Sequence, residues 1–210
     1  MQPESSGFSR LSICTIASLA FFFALIRVSA GAGDGPATAT VRNLLASIGK
    51  LRTTTDETQR SKLNASIDGS LAIEKLSQQA LGAQWSKLDR SERGHFISLV
   101  KHLLEKIAYP NAAQFFSGFK VNFVGEETHS ADHIVRTTVS RSEGGAVSID
   151  YILRQENGRW IVQDVILDRQ SLAASVTSQI QATLKSGSYQ DLVAQMEKRL
   201  AQAGSPSSVK

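Results

Sequence analysis

Two β-periodic runs joined by Asn157-Gly158 constrain this chain more than any other stretch. The two-residue loop needs φ > 0 at both positions, which Asn-Gly adopts readily, and it fixes the register of the strands on either side. Glu156 is then expected to face Arg159, Leu153 to face Val162, Tyr151 to face Asp164, and Ile149 to face Ile166. Side chains alternate along a strand, so Ile149, Tyr151, Leu153, Trp160, Val162 and Ile166 share one face, with Asp164 as its only charge. Ser148, Asp150, Ile152, Arg154, Ile161, Gln163, Val165 and Leu167 share the other. The first face is built to cover an apolar layer; the second is mixed.

The rest of the chain arranges itself around that hairpin. Val41, Leu44, Leu45, Ile48 and Leu51 recur at helical spacing and predict a helix over Thr38–Arg52. Ser61–Ile67 and Leu71–Leu81 read as short helices, the second ending at Gly82. Asp89 with Glu92 forms a capping-box pair ahead of a longer helix. Its apolar face runs through Phe96, Leu99, Val100, Leu103, Leu104 and Ile107. Pro110 is expected to stop that helix after Tyr109, leaving Asn111–Ser117 as a connector. The period then changes to two: Phe119, Val121 and Phe123 in one strand, Ile134–Arg141 in a second. A turn at Glu143-Gly144-Gly145 leads into the hairpin. Leu172, Val176, Ile180 and Leu184 predict a helix capped near Gly187, and Ser188 opens a last one through Tyr189, Leu192, Val193, Met196 and Leu200. Helices, a four-stranded antiparallel meander, then helices make an α+β chain.

The ends belong to export. Arg10 precedes an apolar run from Leu11 to Ile26, and Val28-Ser29-Ala30 is a small-residue cleavage signature, so residues 1–30 read as a cleaved secretory signal peptide. The run is shorter than the ~20 residues a membrane span needs. Residues 31–37 read as a flexible tail, 38–204 as one domain and 205–210 as a polar tail. Cys14 is the one cysteine and lies inside the signal, so the exported part has no thiol for a disulfide or a metal. Losing Arg10, Arg27 and Glu4 takes the formal charge from +4 to +3. That value is too small, and too evenly spread, to indicate a nucleic-acid partner.

Here the residues reach a known family. V-x-I-D-Y-x-L-R from Val147, N-G-R-W-x-V-x-D-V from Asn157, and the link into Ser171-Leu172 resemble the MlaC (toluene-tolerance auxiliary) family. In the helical half, Glu92-Arg93, Phe96, Leu99, Leu104 and Tyr109 resemble that family's pattern, while Pro110 and Phe115-Phe116 depart from it. The resemblance implies a curved sheet of nuclear-transport-factor-like type with helices folded over its concave face. It also implies a periplasmic phospholipid-binding protein without catalytic residues or cofactors. Implied partners are an inner-membrane ABC lipid transporter and an outer-membrane acceptor complex, and a hopanoid-type lipid is a variant cargo. On that basis the expected lipid-lining residues are Phe96, Leu103, Phe119, Val121, Val139, Ile149, Tyr151, Leu153, Val165, Leu172 and Val176.

Other chemistry is thinly represented. His95 and His102 share a helix face two turns apart, too far for one ion, and His129 and His133 flank a turn, so all four read as surface residues. No nucleophile elbow, zinc-protease, phosphate-loop or dinucleotide motif occurs. The enzymatic alternative is a small exported isomerase or hydratase, with Asp164 and Tyr151 exchanging protons on the apolar face. Intact-mass measurement of the protein recovered from an exporting host should give a chain beginning at Gly31; a species retaining Met1 would contradict the signal reading.

Overall fold

The computed structural model describes residues 35–140 and 145–204. The signal peptide with Cys14, residues 31–34 of the tail, the Glu143-Gly144 part of the turn, and residues 205–210 lie outside the described residues.

Helix α1 (Pro36–Leu51) begins two residues earlier than the spacing suggests, with proline in its first turn, where the missing N–H is not needed. Helix α2 (Glu57–Asp68) is capped by Asp56, and α3 (Ile73–Leu81) ends at Gly82. Gly82 sits at φ +53, ψ −126, a backbone that calls for glycine, and a Cβ there would press on Gln181 Nε2 at 3.2 Å. A 3-10 turn over Gly82–Lys87 leads to α4 (Arg90–Leu103), whose capping box forms as expected: Glu92 N donates to Asp89 Oδ1 at 2.8 Å and Asp89 N donates to Glu92 Oε2 at 2.9 Å.

Pro110 does not end this helix. A π-turn over Leu104–Ala108, in which Tyr109 N donates to the Leu104 carbonyl, carries the chain directly into α5 (Tyr109–Phe116). The wider turn displaces the hydrogen-bond ladder by one residue just where proline has no N–H to give. The expected connector at Asn111–Ser117 is therefore helical as far as Phe116.

The sheet is an open antiparallel meander of β1 (Lys120–His129), β2 (Asp132–Ser140), β3 (Ala146–Glu156), β4 (Arg159–Leu167) and β5 (Gln170–Ser171), paired in chain order. Four of these strands were legible; β5 was not. It arises from a two-residue turn at Asp168-Arg169 with φ of +46° and +67°. Left-handed backbone at such residues costs about 1–2 kcal/mol each, and the sequence does not announce it as Asn-Gly does. Asn157 (+49°) and Gly158 (+76°) make the expected turn.

The hairpin register is as derived from Glu156↔Arg159 to Leu153↔Val162 and then shifts by one. A bulge at Gln163 sets Tyr151 opposite Val165, Ile149 opposite Leu167 and Asp164 opposite Ile152. Ile166 thus leaves the inner face, and Val165 and Leu167 join it. A second bulge interrupts β1 between Phe123 and Gly125; such bulges bend and twist a sheet.

Helices α6 (Leu172–Ser186) and α7 (Tyr189–Gly204) complete the chain. Ser188 and Asp191 cap α7 reciprocally, Ser188 N donating at 2.8 Å and Asp191 N at 3.1 Å. Gly187 ends α6 in extended backbone, not the left-handed form. Two apolar clusters result. In one, α1, α2 and α5 lie on the inner sheet face around Val41, Ile67, Val135, Val139 and Leu153. In the other, α3, α4 and α7 pack around Leu81, Phe96 and Leu192. Among the described residues no helix is long and apolar enough to cross a membrane. Gly82→Ala should lower stability by about 1–3 kcal/mol through backbone strain alone, measured as a fall in Tm.

Candidate functional site

Between the two clusters the packing does not close. A cavity of about 590 Å³ lies over the β3–β4 half of the sheet and opens to the surface on one side. Its floor is Ile149, Tyr151, Val162, Val165 and Leu167. The helices over it contribute Leu44 and Ile48 from α1, Ile67 from α2, Ile73 and Leu76 from α3, Leu104 from the π-turn, and Phe115 and Phe116 from α5. At the mouth, α5 presents Phe115 and Asn111, and α6 presents Leu172, Ser175, Val176 and Gln179. Phe115, Leu172 and Val176 are 38%, 44% and 37% exposed, large apolar side chains left at the surface around one opening. Phe115 is held there by Phe119, stacked at 5.1 Å, and by an edge contact with Phe116.

Among the described lining residues Asp164 is the one that carries a charge, and its carboxylate is fully engaged. Oδ1 accepts from the Val165 and Ala173 backbone N–H at 2.8 and 3.0 Å, and Oδ2 accepts from the Ser171 hydroxyl at 2.6 Å. It therefore serves the N-terminus of α6, where anions and N–H groups attract. Tyr151 faces Val165 instead of Asp164, so the expected proton-exchanging pair does not form. The Tyr151 hydroxyl is buried and has no hydrogen-bond partner. Burial raises its pKa above the usual tyrosine range; the neighbouring Thr137 hydroxyl offsets this in part but is itself committed to the Ile149 carbonyl at 2.9 Å.

Beside the π-turn lies a polar knot. Tyr109, a lining residue, donates its hydroxyl proton to Asp68 Oδ1 at 2.7 Å, and Lys101 Nζ stands 3.1 Å from Asp68 Oδ2. The bond to Asp68 and its charge raise the Lys101 pKa. Burial first, and then the Asp68 carboxylate, raise that of Glu105. The knot ties the end of α2 to α4 and α5 on either side of the π-turn at the cavity wall.

Of the eleven expected lining residues, Ile149, Tyr151, Val165, Leu172 and Val176 line the cavity and the other six do not. Phe96 is fully buried in the second cluster with its ring 6.3 Å from that of Tyr189, and Leu103 packs beside it. Val139 and Leu153 are fully buried in the first cluster, and Phe119 and Val121 pack at its edge. The first turns of α1 fill the space over β1 and β2, where Arg42 lies 4.0 Å over the Phe123 ring, while Leu44 and Ile48 farther along reach the cavity; Phe96 and Leu103 are taken up by the packing of α4 against α7. That half is filled, and the β3–β4 half is not. The reading missed the α1, α2 and α3 contributions. Their apolar stripes were visible, but a stripe facing a core and one facing a cavity use the same residues. The histidines stand at the surface or beside single carboxylates, His95 near Glu197 at 3.3 Å and His133 near Glu126 at 3.3 Å. No group of three metal-ligating side chains occurs among the described residues.

An antiparallel sheet with helices held off one half of it, around an apolar chamber with one mouth, defines a ligand-enclosing α+β protein. Residues 38–198 match the model of the MlaC protein family, and the chain belongs to that family. It is also similar in structure to a phospholipid-binding protein from Ralstonia solanacearum, solved in complex with a phospholipid. The TM-score is 0.66 at 22% identity, over 80% of this chain and 96% of that one. No curated protein matches the chain.

Glu105 gives a pH test. With its folded pKa raised, it adds stability only below the ordinary carboxyl range and loses that contribution as pH rises through the folded value. Glu105→Gln should therefore have a higher Tm than the unaltered protein at pH 7, with the gain closing as pH falls through the raised folded value and gone by 4.5.

Proposed function

We propose that the protein is an exported lipid carrier working in the periplasm. It would carry a phospholipid or related lipid between an inner-membrane ABC lipid transporter and an outer-membrane acceptor complex. The observation that carries this reading is the apolar chamber itself, walled on the floor and roof by mainly aliphatic and aromatic side chains, with Asn111, Ser175 and Gln179 at the mouth. Membership of the MlaC family supports it, as does the fold shared with the phospholipid-binding neighbour.

The energetics set what such a site must do. A two-chain lipid gives up about 30 CH₂ groups' worth of burial on leaving a bilayer, ~24 kcal/mol at ~0.8 kcal/mol each. A methylene fills roughly the ~30 Å³ that a water takes in the liquid, so the 590 Å³ chamber encloses about 20 of them and recovers ~16 kcal/mol. One long chain fits entirely, and part of a second. The head group is left at a mouth of amide and hydroxyl side chains, Asn111, Ser175 and Gln179, which form no dedicated ion pair for it. Weak head-group discrimination follows.

Mass spectrometry of an organic extract of the purified mature protein should find lipid at about one molecule per chain. Val165→Trp, which fills the chamber floor without touching either packed cluster's centre, should reduce that lipid several-fold while the protein stays folded. Absence of lipid from the unaltered protein, or full occupancy in the variant, would contradict the carrier reading.

A further inference from the structure

The walls of the chamber are not equally fixed. Leu44, Ile48, Ile67, Ile149, Tyr151 and Val162 are buried residues anchored in a packed cluster. Helix α6 contains no buried residue along its fifteen positions. Its C-terminal half is fastened to α3, where Gln181 Nε2 donates to the Ala80 carbonyl at 2.6 Å, and Ile180 and Leu184 pack on the second cluster. Its N-terminal half carries Leu172 and Val176 at the mouth, and its first turn is fastened by Asp164 through Ala173 N and the Ser171 hydroxyl. Immediately before it come the two-residue strand β5 and the Asp168-Arg169 turn, left-handed at both positions. A short, strained turn next to a helix held at its tip by one carboxylate is the arrangement of a hinge and a latch.

The volumes give that arrangement a use. About 30 methylenes need roughly 900 Å³, against the 590 Å³ enclosed with α6 in place. We propose that Asp164 is a positioning residue that latches the N-terminal half of α6 across the mouth, and that releasing this latch lets the first turns, Leu172–Val176, lift off the mouth by way of the Asp168-Arg169 turn while the C-terminal half stays on α3, widening the chamber for a second acyl chain. This rests on the carrier reading for its cargo, but the latch itself is a property of the lipid-free protein. The bulge at Gln163 is what brings the carboxylate to the helix, because in the unbulged register it would face Tyr151 instead.

The test compares the unaltered mature protein with Asp164→Ala and Asp164→Asn. Asparagine keeps an acceptor oxygen for Val165 and Ala173 and loses only the acceptor for Ser171, so it serves should the alanine variant fail to fold. Hydrogen exchange is followed in the lipid-free proteins. Uptake and release of a pyrene-labelled phosphatidylcholine are followed from phosphatidylethanolamine/phosphatidylglycerol vesicles. In the alanine variant, amides of residues 172–176 should exchange at least tenfold faster while those of β3 and α4 keep their protection. Uptake and release should both accelerate by a similar factor, with the asparagine variant intermediate. Unchanged exchange in α6 would overturn the proposal. So would a loss of protection spread equally over β3 and α4, which marks a merely structural residue, or a loosened α6 with unaltered transfer rates. If none of the three proteins takes up the labelled lipid, the carrier reading fails and the loading role with it; the exchange data separate that result from failure of the latch.

Discussion

One extra residue in β4 organises the functional half of this molecule. The bulge at Gln163 shifts the hairpin by one position, turning Val165 and Leu167 inward and Ile166 outward. It also delivers the Asp164 carboxylate to two backbone N–H groups and a hydroxyl beside the start of α6. A buried or half-buried carboxylate is tolerable only when its oxygens are satisfied, and hydrogen bonds to a charged group are about twice as strong as neutral ones. The same displacement therefore builds the chamber floor and fixes the helix that borders its mouth.

The chamber exists because the two clusters draw the helices in different directions. Helix α1 seats its first turns on the β1–β2 half of the sheet, with Ala37 and Val41 fully buried, and its later turns carry Leu44 and Ile48 to the chamber wall. Helices α4 and α7 close on each other through Phe96, Tyr189 and Met196. The π-turn ahead of Pro110 lets one long helical run serve both, its first part in the second cluster and Tyr109 and Ala113 in the first. Apart from its mouth and the α6 side, the space left over β3 and β4 is bounded by elements already committed elsewhere. Such a space can stay open without collapse, since shrinking it would unpack a filled core, and tight packing is what cores do not surrender.

Polar groups near the chamber are engaged in holding its walls. Asp164 caps a helix, Tyr109 and Lys101 bind Asp68, and Gln163 receives Lys75 at 2.7 Å. The Tyr151 hydroxyl is the exception, buried beside Thr137 without a partner. These placements suit a site whose affinity comes from apolar area and whose specificity is loose.

Taken alone, the sequence determined the α+β order, the meander, the Asn157-Gly158 turn, the Asp89–Glu92 capping box and the family resemblance. Each of these is written in neighbouring residues: a period, a cap, a pair that tolerates positive φ. Tertiary structure decided the rest. Whether Pro110 breaks a helix depends on whether its carbonyl ladder can shift, and here a π-turn shifts it. The register past Val162 depends on where the sheet must bend to meet α6, and no local rule places a bulge at Gln163. Above all, Phe96 and Leu153 lie in filled core while Ile149 and Val165 line a cavity, although all four are apolar residues on apolar stripes. Hydrophobicity says that a side chain leaves water; it does not say what it meets when it does.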